Sequence, residues 1–202
     1  MIMGTVYLVI AAMLWGIVHS VLASYWFKHH IKQWFGVTAY NRLYRFSYNV
    51  FSLASIFPIL LMLVGFPDYP LYSVPSPWIY GMTILQGLAA FVMIAGVMQT
   101  GALEFAGLAQ LASSYEDSAP ASLVVDGVYA FVRHPLYSAG LVFIWLTPEM
   151  TLNRLVLWVV FSIYIVIGAY FEERKLLRDF GEEYAAYKAR TPMFIPRLLK
   201  NS

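Results

Sequence analysis

Residues 155–171 read LVLWVVFSIYIVIGAYF, seventeen positions without a formal charge, and Glu172-Glu173-Arg174-Lys175 follows at once. At 1.5 Å of helical rise per residue this run covers ~25 Å, close to the ~30 Å hydrocarbon core of a bilayer. The abrupt change to ionised residues marks a helix leaving lipid for water. Just upstream, residues 135–147 are also apolar but cover only ~20 Å, with Pro148 and Asn153 between the two runs. That spacing predicts a tight hairpin of two transmembrane helices, the first crossing with help from its flanks. Three earlier apolar stretches, 1–27, 46–65 and 78–100, complete the pattern. The expected fold is an all-α integral membrane protein with about five transmembrane helices and a cytoplasmic C-terminal helical segment.

Composition agrees. Of 202 residues 60% are hydrophobic and 12% charged, about half the roughly 25% charge of a soluble domain. The net charge of +2 is too small for a nucleic-acid footprint, and no nucleic acid is expected as partner. With no cysteine there is no disulfide framework, thiolate metal site or cysteine nucleophile. No basic segment precedes residues 1–27, and Trp15, His19 and Trp26 suit a retained helix better than a cleaved signal.

The basic residues set an orientation. Lys28, Lys32, Arg42 and Arg45 fall between the first two stretches and Arg133 between the third and fourth; Arg154 is at the hairpin tip and seven follow Phe171. With the N-terminus outside, five crossings put 12 of the 13 on the cytoplasmic side. We read one membrane domain over 1–202: three N-terminal helices (1–100), a cytoplasmic connector (101–134), the hairpin (135–171) and a cytoplasmic tail (172–202).

Two motifs carry chemical content. The first is Gly127-Val-Tyr129-Ala-Phe-Val-Arg133-His134-Pro135-Leu-Tyr137-Ser-Ala-Gly140. Proline favours the first helical position and drives its predecessor out of the helical region, so His134 should sit at a helix entrance. The amides of residues 136–138 would be unpaired there and attract an anion, and Arg133 adds a planar cation suited to a carboxylate. Gly140 leaves room for close approach. The bland alternative is a pair of interfacial anchors before an ordinary helix. The second motif is Glu172-Glu173-Arg174-Lys175-Leu-Leu-Arg178-Asp179-Phe180-Gly181-Glu182-Glu183-Tyr184-Ala-Ala-Tyr187. On a helix Glu172 has Lys175 at i+3, whereas Glu173 has no cation at i±3 or i±4. Its partner must come from elsewhere, either Arg133 or a ligand.

Other features read more plainly. His19 lies inside the first apolar stretch, where an ionisable group is a site candidate or a neutral histidine bonded to a neighbouring helix. Glu104 faces either the same cytoplasmic side pocket or solvent. Lys28, His29, His30 and Lys32 form a basic cluster suited to anionic lipid. Met193-Phe194-Ile195, between Pro192 and Pro196, look like a tail packing back on the bilayer surface. No metal site is expected, because no two histidines stand at ligand spacing beside a carboxylate. There is no Gly-rich phosphate loop and no Gly-x-Ser-x-Gly.

Together the motifs resemble the integral-membrane methyltransferases of the isoprenylcysteine carboxyl methyltransferase and phospholipid methyltransferase superfamily, over about Leu123 to Pro196. Ser138-Ala139 before Gly140 departs from the pattern, since many members have one residue there. Upstream, His19-Ser-Val-Leu-Ala-Ser and Phe105-Ala-Gly-Leu-Ala-Gln110 are similar to bacterial methanethiol S-methyltransferase-like members and to carotene-isomerase-like membrane proteins.

The resemblance implies S-adenosylmethionine as methyl donor, bound at the cytoplasmic face, in a bacterial inner membrane. Arg133, His134 and Tyr137 would hold its amino-acid end and Glu172 or Glu173 its ammonium or ribose hydroxyls. Tyr184 and Tyr187 would pack nearby, with Arg133 and Glu173 as the catalytic pair. The acceptor would be a small thiol or a lipophilic molecule such as a prenylcysteine carboxylate or lipid, with His19 a candidate substrate contact. The bilayer is the expected partner, and no protein partner is required. The alternatives are a haem-binding isomerase or redox-linked protein using His19 and His134 as axial ligands, and a non-catalytic scaffold.

Overall fold

The computed structural model describes residues 2–112 and 122–197. Met1, the middle of the connector (113–121) and residues 198–202, with the basic residue Lys200, lie outside that description. About 79% of the chain is helical, and the all-α class holds. In order come α1 (Ile2–Ala23), α2 (Tyr25–Phe35), α3 (Val37–Gly65), β1 (Pro70–Ser73), α4 (Trp78–Gln99) and the short α5 (Ala102–Ala106) and α6 (Leu108–Ala112). A 3-10 turn (Gly127–Ala130), α7 (Pro135–Trp145), β2 (Glu149–Thr151) and α8 (Leu152–Arg190) complete it. Among the described residues α1, α3, α4 and α8 are long and apolar enough to cross a membrane, while α7 is a shorter apolar helix. Their large apolar side chains point outward, among them Ile10, Leu14, Leu53, Val64, Ile84 and Phe91. Outward apolar surfaces of this extent on helices of membrane-spanning length suit contact with lipid.

The chain divides into two compact units. In the first (2–70, 101–112 and 151–161) Leu8 and Ala12 of α1, Ile59 of α3 and Leu157 of α8 form the buried core. Several polar groups beside it are paired. Thr5 Oγ1 donates to Asn153 Oδ1 (2.6 Å), Asp68 Oδ1 accepts from the Asn153 amide (2.9 Å), and Trp15 Nε1 donates to Ser55 Oγ (2.9 Å).

Two boundaries depart from the sequence reading. The first helix stops at Ala23 because Ser24 is extended (φ −69°, ψ 152°) and its hydroxyl caps a new helix by accepting from Phe27 N. The stretch expected as a loop is therefore α2 and the first turns of α3, reversed at Gly36 (φ 82°). The polar start of α3 is occupied in holding α5 and α6. Arg42 Nη2 donates to Leu111 O (3.2 Å), Arg45 Nη1 to Glu104 O (2.8 Å) and Asn49 Nδ2 to Phe105 O (2.7 Å).

In the second unit (71–100, 122–150 and 162–197) the segment around α7 runs antiparallel along α4, tied at three levels. Gln99 Oε1 accepts from Val128 N (3.1 Å) at one end, and Gln86 Nε2 donates to Phe143 O (2.9 Å) in the middle. At the other end Val74 N donates to Pro148 O (2.9 Å), continuing the two-stranded pairing of β1 and β2 that the sequence had not announced. The close approach is at Gly96 of α4, where a β-carbon would lie 2.5 Å from Leu136 Cδ1. Gly140, expected to be the tight glycine, has slack: its nearest neighbour would be Met93 Sδ at 3.9 Å.

Candidate functional site

Pro135 occupies the first position of α7 and His134 precedes it at φ −124°, ψ 64°, outside the helical region, as the Arg-His-Pro order predicts. The helix entrance is less open than expected. Ser138 N donates back to His134 O (2.9 Å), and Ser138 Oγ bonds both His134 O (3.0 Å) and Phe194 O (2.8 Å).

Beyond Phe171, α8 continues as a charged helix carrying Glu172 and Glu173. Gly181 then breaks its geometry (φ 55°, ψ −125°), a conformation open essentially to glycine. The arm after it turns Tyr184 and Tyr187 inward, 0% and 3% exposed. It also brings Lys188 back onto Glu173, Nζ to Oε2 at 2.6 Å. The opposite carboxylate oxygen takes Arg133, from Nε at 2.7 Å and from Nη2 in a still closer contact. Arg133 Nη1 meanwhile donates to the carbonyls of Lys188 (3.2 Å) and Thr191. The strap after the arm is fastened by main-chain bonds, Arg133 N to Pro192 O (2.8 Å) and His134 N to Met193 O (3.2 Å). Residues 192–194 thus lie on the entrance of α7.

His134 is buried, with its ring stacked on Tyr137 (5.4 Å between centroids, 11° between planes) and tilted against Phe194 (5.8 Å). Burial pushes its pKa below the ordinary 6.5, while Glu172 and Glu173 pull the other way and Arg133 adds to the lowering. The neutral imidazole therefore prevails near pH 7. Its Nε2 lies 3.5 Å from Glu173 Oε1 without a hydrogen bond, and the Tyr184 hydroxyl is likewise buried without one. Glu172 is different. Its side chain is 42% exposed, and one oxygen accepts from Tyr137 Oη (2.7 Å). Tyr129, outside the spans, has its phenol pushed up to about 12, mostly by burial and then by Glu172 and Tyr187, and Tyr187 Oη donates to its carbonyl (2.6 Å).

The structure thus gathers Arg133, His134, Tyr137, Glu172, Glu173, Tyr184 and Tyr187 around one polar cluster. Lys188, the carbonyls of Thr191, Pro192 and Met193, and the Phe194 ring belong to it as well. Sequence spacing missed these because Gly181 folds back an arm that i±4 arithmetic treats as continuous helix. Glu104, exposed on α5, and His19 on α1 both belong to the first unit. Both His19 ring nitrogens are bonded within that unit, Nε2 with Tyr48 Oη (2.5 Å) and Nδ1 with Ser52 Oγ (3.0 Å). No ring nitrogen is left over for iron in this arrangement.

The chain is 30% identical to a methanethiol S-methyltransferase of Pseudomonas deceptionensis over 195 residues, 93% of this chain and 71% of the relative. The chain belongs to the isoprenylcysteine carboxyl methyltransferase-like family. A second relative in this family, the methanethiol S-methyltransferase of Pseudomonas sp. (strain GM41(2012)), is 29% identical over 182 residues, 89% of this chain and 68% of its own length. A protein-S-isoprenylcysteine O-methyltransferase of Schizosaccharomyces pombe matches over 81 residues at 40% identity, 37% of this chain and 33% of the relative. Among the first methanethiol methyltransferases of the family, this chain spans 64% to 71% of their length. No family model matches the chain, and no solved structure does.

Proposed function

We propose that this chain is a membrane methyltransferase that uses S-adenosylmethionine and delivers the methyl group to a small thiol or a lipophilic acceptor. The observation that carries this reading is a built polar cluster with unused capacity. His134 Nε2 and Tyr184 Oη are buried without hydrogen bonds, beside a half-exposed Glu172 already oriented by Tyr137. Buried polar atoms are almost always paired, so two orphans in one cluster fit a ligand's polar groups.

The donor's ammonium, carboxylate and ribose hydroxyls match what is on offer. Glu172 is the acceptor for the ammonium or a hydroxyl, and Tyr137 fixes its rotamer. His134 and Tyr184 offer Nε2 and a hydroxyl. Arg133, with its donors engaged by Glu173 and two carbonyls, works by holding the strap against the α7 entrance, and Lys188 gives Glu173 a second cation, leaving a positive charge that neighbouring Glu172 offsets. When bound, S-adenosylmethionine supplies a methyl group on a sulfonium centre. The chain's contribution is then alignment and exclusion of water; a thiolate or carboxylate acceptor attacks directly, whereas a neutral thiol releases its proton to solvent first.

The topology we propose has five crossings, with the C-terminus cytoplasmic. The ties from Gln99–Val128 through Gln86–Phe143 to Val74–Pro148 support it, because they keep α7 and its flanks alongside α4 over that helix's whole length. The basic residues support the orientation, and a bacterial inner membrane is the proposed location.

The test is calorimetric titration of the detergent-purified chain with S-adenosylhomocysteine. Micromolar binding is expected for the wild type, weakened about tenfold in Glu172→Gln, in keeping with one lost charge-assisted hydrogen bond. No binding by folded wild type overturns the reading.

A further inference from the structure

The orphaned polar atoms of the cluster are also sealed. His134 is 5% exposed and Tyr184 0%, and neither His134 Nε2 nor Tyr184 Oη has a hydrogen-bond partner among the described residues. A ligand that pairs with them must therefore enter after something covering them has moved. Two rings lie against His134. Tyr137 is inside α7 and its hydroxyl is tied to Glu172 Oε2, so that ring is fixed at both ends. Phe194 stands beyond the end of α8 at Arg190, outside any helix. The movable cover is Phe194.

The strap that carries it is built to come away as a piece. Three bonds fasten it to the α7 entrance: Arg133 N to Pro192 O, His134 N to Met193 O and Ser138 Oγ to Phe194 O. None is a charge pair, and ordinary hydrogen bonds of this kind are individually weak. Pro192 and Pro196 bracket the segment, and proline fixes its own φ while restricting the residue before it. The strap is thus stiff between them. Thr191, on the inner side, is buried, donates its amide to Tyr187 O (3.0 Å) and gives its carbonyl to Arg133 Nη1. On the outer side Ile195 is 79% exposed. One end is anchored and the other is not covered.

We infer that residues 192–195 are a gate over the donor site, pivoting at Thr191 to lift Phe194 off His134 whenever the methyl donor enters or the demethylated product leaves. The inference rests on the methyl-donor reading and adds an order of events to it: the strap opens, the ligand passes, the strap refastens. The same three bonds close the gate with and without ligand, so weakening one changes rates and not affinity. In Ser138→Ala, association and dissociation of S-adenosylhomocysteine should both quicken about fivefold, as for one ordinary hydrogen bond, with Kd unchanged. Unchanged rates overturn the gate. So does a faster dissociation alone with affinity lost in proportion, which would make Ser138 a ligand contact.

Because the chain has no cysteine, the strap can also be locked. In detergent-purified Ser138→Cys/Ile195→Cys the two thiols are joined by a short, reducible bis-methanethiosulfonate linker. Joining them before ligand is added should slow uptake of radiolabelled S-adenosylhomocysteine about tenfold or more, and joining them afterwards should trap it. Reductant should restore exchange in both cases. Equal exchange in the joined and reduced forms overturns the gate and leaves the donor reading standing, whereas no binding by wild type overturns both. Should the double variant not fold, hydrogen exchange in wild type decides. The amides of Arg133 and His134, bonded to the strap, should exchange faster than those of residues 139–144 inside α7, and saturating S-adenosylhomocysteine should slow them about tenfold or more. Equal exchange with and without ligand overturns the inference.

Discussion

Arg133 and Lys188 approach the same carboxylate from opposite sides, yet their environments differ. Arg133 is 9% exposed in its side chain and Lys188 41%. Breaking a buried pair leaves an uncompensated charge and costs about 3–5 kcal/mol, whereas a half-exposed pair is worth about 1 kcal/mol or less. Thermal unfolding in detergent should therefore rank Arg133→Gln well below Lys188→Gln. A reversed order would mean that Lys188 carries the site. His134 gives a pH signature. Because burial lowers its folded-state pKa, the unfolded chain binds the proton more readily. The associated stability is complete above the ordinary 6.5 and declines as pH falls below it. The melting temperature of wild type should drop between pH 7.5 and 5.5, and the drop should be smaller in His134→Asn. The pairing of Glu173 with Arg133 was legible as one of two possibilities, Arg133 or a ligand, because Glu173 has no cation at helical spacing. The bonds from Arg133 to the Lys188 and Thr191 carbonyls were not legible, since sequence spacing does not announce which main-chain acceptors a folded-back arm presents.

Gly181 governs an entire element. Its φ of 55° with ψ of −125° ends the straight run of α8, and a β-carbon there would meet nothing within 4 Å. The cost of Gly181→Ala is then backbone strain alone, about 1–3 kcal/mol. Because Tyr184, Tyr187 and Lys188 hang on the arm beyond it, S-adenosylhomocysteine affinity should fall with stability. A variant as stable and as tight-binding as wild type would show the kink to be dispensable. Gly107 makes the complementary case, with φ 82° and a would-be β-carbon 2.4 Å from Phe46 N. Helices were the readable part of this fold, because apolar run length dictates them. Their ends were not. The caps at Ser24 and Gly36 sit inside a polar stretch that reads equally as loop, and the β1–β2 pairing involves strands of four and three residues.

For the whole molecule, the absence of cysteine makes topology directly measurable. Ser73→Cys should react with a membrane-impermeant maleimide in intact cells, and Glu182→Cys only after permeabilisation. Labelling of both from the same side would overturn the five-crossing arrangement. An acceptor was legible neither in the motifs nor in the described geometry, since the proposed reading of the polar cluster concerns the methyl donor alone. The network around Arg133 also has a consequence in time. A chain is made from its N-terminus, and among the described residues the guanidinium's partners lie downstream, at Glu173, Lys188 and Thr191. The last of them is 58 residues later, so at 5–20 residues per second the guanidinium waits roughly 3–12 s for its final acceptor to be synthesised. Over the final 20 residues of that interval, Glu172 to Thr191, the hairpin is already made while its clasp is not, and the polar cluster closes only once Thr191 has been added.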